Sequence, residues 1–259
     1  MGTYTAAVPS RFSPLRRTVR DSSIEESFRI LRSNVEVALV NLEPPIAIVT
    51  SAYPGEGKTW TVVGLARALA GAGRRVVLVD LDLRKPGVHS ALLIPNEIGV
   101  SDVLLGKRAL NECLQYVEFD SVAGPGRGLY VVTTGKGVTE PAELLGTNRT
   151  VRLLEGLAEQ ADVVLIDTPP VLPVADTLII GRMVAGAVLV VEARKTSIPA
   201  VHRSVEQLTR NQTRILGVVV NKSTERGDGY GYGYGYGYEP GHGYDTAAVV
   251  QPPTLGEPD

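Results

Sequence analysis

The segment Ile46–Thr59 constrains this chain more than any other. An apolar run, Ile46–Thr50, passes into Ser51-Ala52-Tyr53-Pro54-Gly55-Glu56-Gly57-Lys58-Thr59, and a helical pattern follows from Thr59 to Ala70, ending at Gly71. Gly55 and Gly57 let backbone N–H groups converge on phosphate oxygens, and the helix N-terminus adds a favourable dipole. Lys58 is placed to reach the β- and γ-phosphates of a nucleotide, and the Thr59 hydroxyl to ligate Mg²⁺. Ala52 stands where the pattern G-x-x-x-x-G-K-[ST] has its first glycine. Alone the motif is moderately specific; between a buried strand and a helix it is a strong signal for Mg-ATP-dependent phosphoryl transfer, with Lys58 in a water-accessible site.

The other apolar runs set the architecture. Val76–Asp80, Leu129–Thr133, Val163–Asp167, Ala187–Val191 and Ile215–Asn221 are continuous rather than alternating. That means burial on both faces, hence an α/β fold with a mostly parallel central sheet and helices on both sides, of the P-loop NTPase type. Helical patterns fill the intervals: Gly99–Leu105, Ala109–Cys113, Pro141–Glu159 with a break near Gly146, Pro173–Val184 and Pro199–Asn211. Ahead of the first strand, Ile24, Phe28, Leu31 and Val35 fall at helical spacing. Ser22 and Ser23 offer caps for that helix, and Pro44–Pro45 end it.

Two strands end in acids. Val76-Val-Leu-Val-Asp80-Leu-Asp82-Leu-Arg84 and Val163-Val-Leu-Ile-Asp167-Thr-Pro-Pro170 put Asp80, Asp82 and Asp167 at carboxyl ends. Ligands of open parallel sheets bind at that edge. A lone acid there is commonly a cap or turn residue; three beside a phosphate loop favour metal work. Mg²⁺ is satisfied by one or two carboxylates with water and phosphate, which leaves a carboxylate for the nucleophile.

Boundaries follow from composition. Residues 1–21 read as a flexible basic leader carrying Arg11, Arg16, Arg17 and Arg20, either plainly solvated or in weak contact with an anionic membrane. Residues 22–222 form the catalytic domain, with 22–40 its first helix. Residues 223–259 contain Gly229–Tyr238, a strict Gly-Tyr repeat, with too little aliphatic bulk for a core, and are expected to be disordered. The net charge of -2 gives no argument for a nucleic-acid partner. The single cysteine, Cys113, cannot form an internal disulfide, which fits a reducing compartment. No apolar run approaches the roughly 18 residues that span a bilayer.

A D-x-D-x-R segment on the strand after a phosphate loop is uncommon. The combination resembles the bacterial protein-tyrosine kinases of capsule and exopolysaccharide assembly. Ser51, Pro54, Glu56, Gly57, Lys58 and Thr59 match their Walker A loop; Asp80, Asp82 and Arg84 match Walker A′; Asp167, Pro169 and Pro170 match Walker B. Glu26, Arg29, Arg32 and Asn34 match E-x-x-R-x-x-R-x-N, and Tyr230, Tyr232, Tyr234, Tyr236, Tyr238 and Tyr244 match the terminal tyrosine cluster, here in an unusual Gly-Tyr repeat.

The resemblance implies roles. Lys58, Asp80, Asp82, Arg84 and Asp167 would be catalytic. Pro54, Gly55, Glu56, Gly57, Lys58, Thr59, Trp60 and Asn221 would bind ATP, with Asn221 at the adenine or else a plain strand-end turn. Thr59, Asp80 and Asp167 would hold Mg²⁺. Asp82 would orient or deprotonate the acceptor tyrosine, although Asp80 and Asp82 could exchange roles. A tyrosine of ordinary pKa about 10 needs such an acceptor. The motif Glu26–Asn34 would dock a neighbouring subunit in a ring, or be a solvated face of i,i+4 pairs. Implied partners are a transmembrane co-polymerase activator and a tyrosine phosphatase, with the chain in the cytoplasm at the inner membrane face. Met1 and the lack of a span favour a kinase separate from its activator, with an excised cytoplasmic domain of a fused one as the alternative. Two rivals share the fold: an ATPase of the septum- and chromosome-positioning class, which carries a second lysine where Tyr53 stands here, and an ATP-binding regulatory scaffold.

Overall fold

The computed structural model describes residues 19–40, 42–119 and 127–223, with side chains described from residue 24 onward. They fall in one compact unit. The leader and the tail with its tyrosines lie outside the described residues, so the boundaries expected there remain expectations.

The elements run α1 (Val19–Leu39), β1 (Ile46–Ser51), α2 (Lys58–Gly71), β2 (Val76–Asp80), α3 (Val88–Leu92), α4 (Val100–Leu104), α5 (Leu110–Cys113), β3 (Gln115–Glu118), β4 (Gly128–Val132), α6 (Pro141–Leu145), α7 (Asn148–Ala158), β5 (Val163–Asp167), α8 (Asp176–Gly181), β6 (Gly186–Glu192), α9 (Ile198–Arg210) and β7 (Ile215–Asn221). The sheet order is β3-β4-β2-β5-β1-β6-β7. Every pair is parallel except β3 with β4.

Consecutive strand residues serve opposite cores. Ala47, Val49, Leu78 and Leu165 pack with α1 and α2 residues such as Val35, Val62 and Leu65. Ile46, Ile48, Val77, Val79 and Ile166 face the other way, with Val100, Leu104, Leu153 and Leu157 of α4 and α7. Because successive side chains alternate across the sheet, burial on both faces demands apolar residues at every position. That is why the central strands read as unbroken runs.

Several boundaries differ from expectation. The first helix starts at Val19, ahead of Ser22 and Ser23. The helix expected from Pro173 starts only at Asp176, where the Thr177 hydroxyl ties its first turn to the Pro169 carbonyl at 2.6 Å. The helix expected over Pro141–Glu159 breaks at Gly146–Thr147 as expected. Strand β3 and helix α3 were not expected. The former is an edge strand held by a Tyr116–Tyr130 cross-strand pair, with ring centroids 5.2 Å apart.

Helix α1 packs on α2 through Phe28. Its ring lies 4.9 Å from the Trp60 ring, over Gly64. A Cβ on Gly64 would come within 2.1 Å of the Phe28 ring, so only glycine admits this approach.

Candidate active site

Strands β2, β5 and β1 lie side by side, and their carboxyl ends share one edge. Asp80 is in register with Asp167, and Asp167 with Val49. Beyond Ser51 the chain turns through the phosphate loop and enters α2 at Gly57, which has φ 97°. No side chain caps α2, and no acid occupies its first turn. Its leading N–H groups and dipole are therefore left for an anion.

Lys58 opens α2, and its side chain is 10% exposed. The ammonium donates to Asp82 Oδ2 at 2.8 Å and to Asp167 Oδ1 at 3.4 Å. The Thr59 hydroxyl donates to Asp167 Oδ2 at 2.5 Å. The expectation of a water-accessible Lys58 is thus corrected: its ammonium lies in a buried acid cluster, because burial costs a charge less when it is paired.

One ammonium faces three carboxylates. Burial pushes Asp167 up to about 7; Lys58 and the Thr59 bond oppose this, while Asp80 and Asp82 add to it. Burial also raises Asp80, against three backbone donors. Burial pulls Lys58 down, but Asp167, Asp82 and Asp80 together outweigh it and leave the ammonium pKa raised. The surplus of buried negative charge is what a divalent cation would neutralise, and Thr59 with Asp167 offers hard oxygen donors for it. Among the described residues, no three or more His, Cys, Asp or Glu are arranged to hold a metal by themselves. Mg²⁺ does not require that, since phosphate and water complete its shell. A Cβ at Gly55 would meet nothing within 4 Å, so the loop's mouth is open.

The remaining expected residues fall into different places. Asp80 accepts from the N–H groups of Asp82, Gly87 and Val88 at 3.1, 3.0 and 3.0 Å, bracing the turn after β2. Its oxygens are occupied by backbone where a metal ligand was expected. Asp82 also accepts from the Lys85 N–H at 2.9 Å. Arg84 reaches away from the cluster and forks onto Asp176, at 2.8 and 2.9 Å. Glu56 is buried and turned inward: it accepts from the Tyr53 N–H at 2.9 Å and closely from the Thr196 hydroxyl. Trp60 faces Phe28 of α1. Asn221 donates to the Glu56 carbonyl at 2.9 Å, so its amide NH₂ serves the loop where an adenine contact was expected. Pro54 is exposed at the loop's tip. On α1, Glu26, Arg29 and Asn34 are exposed. Arg29 pairs with Glu26 at 3.0 Å on the exposed side, whereas Arg32 and Glu36, 3.9 Å apart, are about three-quarters covered and the Arg32 Nε is buried without a hydrogen-bond partner.

Sequence reasoning missed Asp176, Thr196 and Lys222. Asp176 follows D-T-P-P by only a few residues and Lys222 directly follows Asn221, so proximity to recognised motifs was the available signal. Asp176 is fully buried while the Arg84 side chain is 43% exposed. Arg84→Ala would leave a buried carboxylate without its fork, and is expected to lower unfolding stability by about 2 kcal/mol. Urea titration checks this; unchanged stability with lost activity would instead give Arg84 a direct role in transfer.

The CobQ/CobB/MinD/ParA nucleotide binding domain family matches residues 47–229. The chain is 37% identical over 196 residues to the tyrosine-protein kinase YwqD of Bacillus subtilis, covering 76% of this chain and 80% of the relative. It is 34% identical over 206 residues to the tyrosine-protein kinase etk of Escherichia coli K12, covering 80% of this chain but 27% of that much longer relative. The solved kinase domain of Escherichia coli ETK superposes with a TM-score of 0.70 at 32% identity, covering 81% of this chain and 80% of that one. The chain that carries this phosphate loop and acid-ringed lysine therefore belongs to the bacterial protein-tyrosine kinase family, built on a CobQ/CobB/MinD/ParA nucleotide-binding domain.

Proposed function

We propose that this chain is an autokinase that transfers the γ-phosphoryl group of ATP to its own C-terminal tyrosines, Tyr230, Tyr232, Tyr234, Tyr236, Tyr238 and Tyr244, on a neighbouring copy. The observation that carries this reading is the convergence of Lys58, Thr59, Asp82 and Asp167 at the phosphate loop. Thr59 and Asp167 would hold Mg²⁺, which when bound supplies charge neutralisation at the phosphates. Lys58 leaves Asp82 and Asp167 to meet the phosphate oxygens. That exchange frees the Asp82 oxygen that now holds the ammonium at 2.8 Å. Asp82 then accepts the tyrosine hydroxyl proton as the oxygen attacks phosphorus. With a loose transition state, positioning and charge neutralisation carry most of the catalysis. Asp80 acts one step back, holding the turn that presents Asp82.

The same reading extends to the cell. The resemblance to capsule and exopolysaccharide kinases supports regulation of polysaccharide synthesis and export. It also supports a site at the inner membrane face reached through a transmembrane co-polymerase activator, with a tyrosine phosphatase opposing the reaction. No described helix is long and apolar enough to cross a membrane.

The test mixes Lys58→Met chains carrying the tail with active chains truncated after Thr224, under γ-labelled ATP. Label on the inactive chains, spread over tail tyrosines by mass spectrometry, is the expected result. Free phosphate alone means the septum-positioning type of ATPase. Label that never reaches the inactive chains rules out transfer between copies, and no product at all leaves only the scaffold.

We further propose that α1 mediates a homo-oligomeric ring. Glu26 and Arg29 are exposed beside Ile30, Val37 and Val40, which are 56%, 73% and 60% exposed. Replacing Glu26, Arg29 and Arg32 together by Ala is expected to convert the ring to monomer without unfolding, because Phe28, Leu31 and Val35 are untouched. Light scattering reads the mass; an unchanged mass assigns the pairs to a solvated face.

A further inference from the structure

Strand β7 ends against the phosphate loop. Asn221 Nδ2 donates to the Glu56 carbonyl at 2.9 Å, and the next residue, Lys222, donates through Nζ to the Gly55 carbonyl at 2.7 Å. In a trans peptide unit the C=O and N–H point in opposite directions. The unit bearing the Gly55 carbonyl carries the Glu56 N–H, and the unit bearing the Glu56 carbonyl carries the Gly57 N–H. Holding two consecutive carbonyls toward β7 therefore turns two consecutive N–H groups the other way.

The loop needs such holding. Gly55 and Gly57 have φ 86° and 97°. Glycine rotates more freely than any other residue, so these joints do not keep their orientation unaided. Asn221 lies so close to Gly57 that a Cβ there would come within 2.0 Å of Nδ2. Lys222 sits in the left-handed region with φ 58°, a conformation a non-glycine residue adopts at some cost. Its ammonium is steadied from the far side by Glu192 Oε2 at 3.0 Å. Its side chain is 46% exposed, so it is not there for core packing.

We propose that Lys222, with Asn221, is a positioning residue for nucleotide binding: the pair pins the Gly55 and Glu56 carbonyls and so aims the Glu56 and Gly57 N–H groups at the phosphates. This deepens the proposed function and rests on its nucleotide-binding reading. It predicts a defect in affinity rather than in the chemical step, and one that depends on the donor rather than on side-chain bulk.

The experiment titrates the full chain with Mg-ADP by calorimetry, measures KM and kcat for ATP, and records melting without nucleotide. Lys222→Met is expected to weaken Mg-ADP about tenfold, the effect of losing one charge-assisted hydrogen bond. KM for ATP should rise by a similar factor, with kcat and nucleotide-free melting nearly unchanged. Lys222→Arg, which keeps a donor, should restore most of the affinity. Glu192→Gln, which removes the charge steadying Lys222, should show a smaller loss in the same direction, and decides the matter should Lys222→Met fail to fold. Wild-type affinity in Lys222→Met, an equal loss in Lys222→Arg, or a fall in kcat at constant KM overturns the inference. Should the unaltered chain itself bind no Mg-ADP, the nucleotide-binding reading falls and takes this inference with it. Binding by the unaltered chain and by Lys222→Met alike removes only the inference.

Discussion

Lys58→Met is expected to lower tyrosine phosphorylation by about a thousandfold, the upper range for removing one preorganised charge contact to a transferring group, while the chain still folds. The loss has two sources. The phosphates lose a cation, and Asp82 and Asp167 lose the ammonium that pairs them at 2.8 and 3.4 Å. The second source shows in stability. Asp167 already stands near 7 in the folded chain; without Lys58 it rises further. A group with a raised folded pKa contributes stability that is complete below its unfolded pKa, near 3.8, and is lost as pH rises through the folded value. The variant should therefore melt near the wild type at pH 5 and below it at pH 8.5. Comparable label on the variant would refute the role of Lys58, and parallel melting curves at both pH values would refute the coupling to Asp167.

Asp167→Asn is expected to separate binding from stability in opposite directions. Mg-ATP affinity should fall at least about tenfold, as for the loss of a charged ligand contact, whereas Asp82→Asn should retain most of it. The nucleotide-free chain should gain stability above neutral pH. In the wild type, each unit of upward shift in Asp167 costs about 1.4 kcal/mol once the group ionises. That cost accumulates between pH 3.8 and about 7, and Asn removes it. A rise in melting temperature of several degrees at pH 8, falling to roughly a third of that at pH 5 and vanishing near pH 4, is the expected signature, reduced where the Asn amide meets the Lys58 ammonium. Such a trade of stability for function is common at binding sites. Equal affinity loss in the Asp82 and Asp167 variants would sink the division of labour, and a lower melting temperature at pH 8 would sink the electrostatic account.

What was legible in the sequence was what burial and backbone geometry dictate. Ile46–Thr50, Val76–Asp80 and Val163–Asp167 announced themselves because a strand covered on both faces is apolar along nearly all its length. The acids at their ends followed from the edge they must reach. Less legible were contacts that depend on side-chain reach. Arg84 stands in the motif beside Asp82, yet its long side chain finds Asp176, which is 92 residues away in sequence. The resemblance implied Asn221 and Trp60 at the nucleotide, but side-chain direction puts one on the Glu56 carbonyl and the other on Phe28. Strand β3 escaped notice because four residues with an exposed edge carry hardly any period, and α3 because five residues span little more than a turn.

The seating of α1 has a consequence for how the molecule opens. This helix joins the rest largely through one stripe, Phe28, Leu31, Val35 and Leu39, centred on the notch at Gly64. The strands β1 and β5, by contrast, are sandwiched between two cores. The free energy needed to undock α1 is then a fraction of that needed to open the sheet, so its amides exchange hydrogen by a sub-global route while those of β1 and β5 wait for complete unfolding. A helix held this way acts as a detachable foldon.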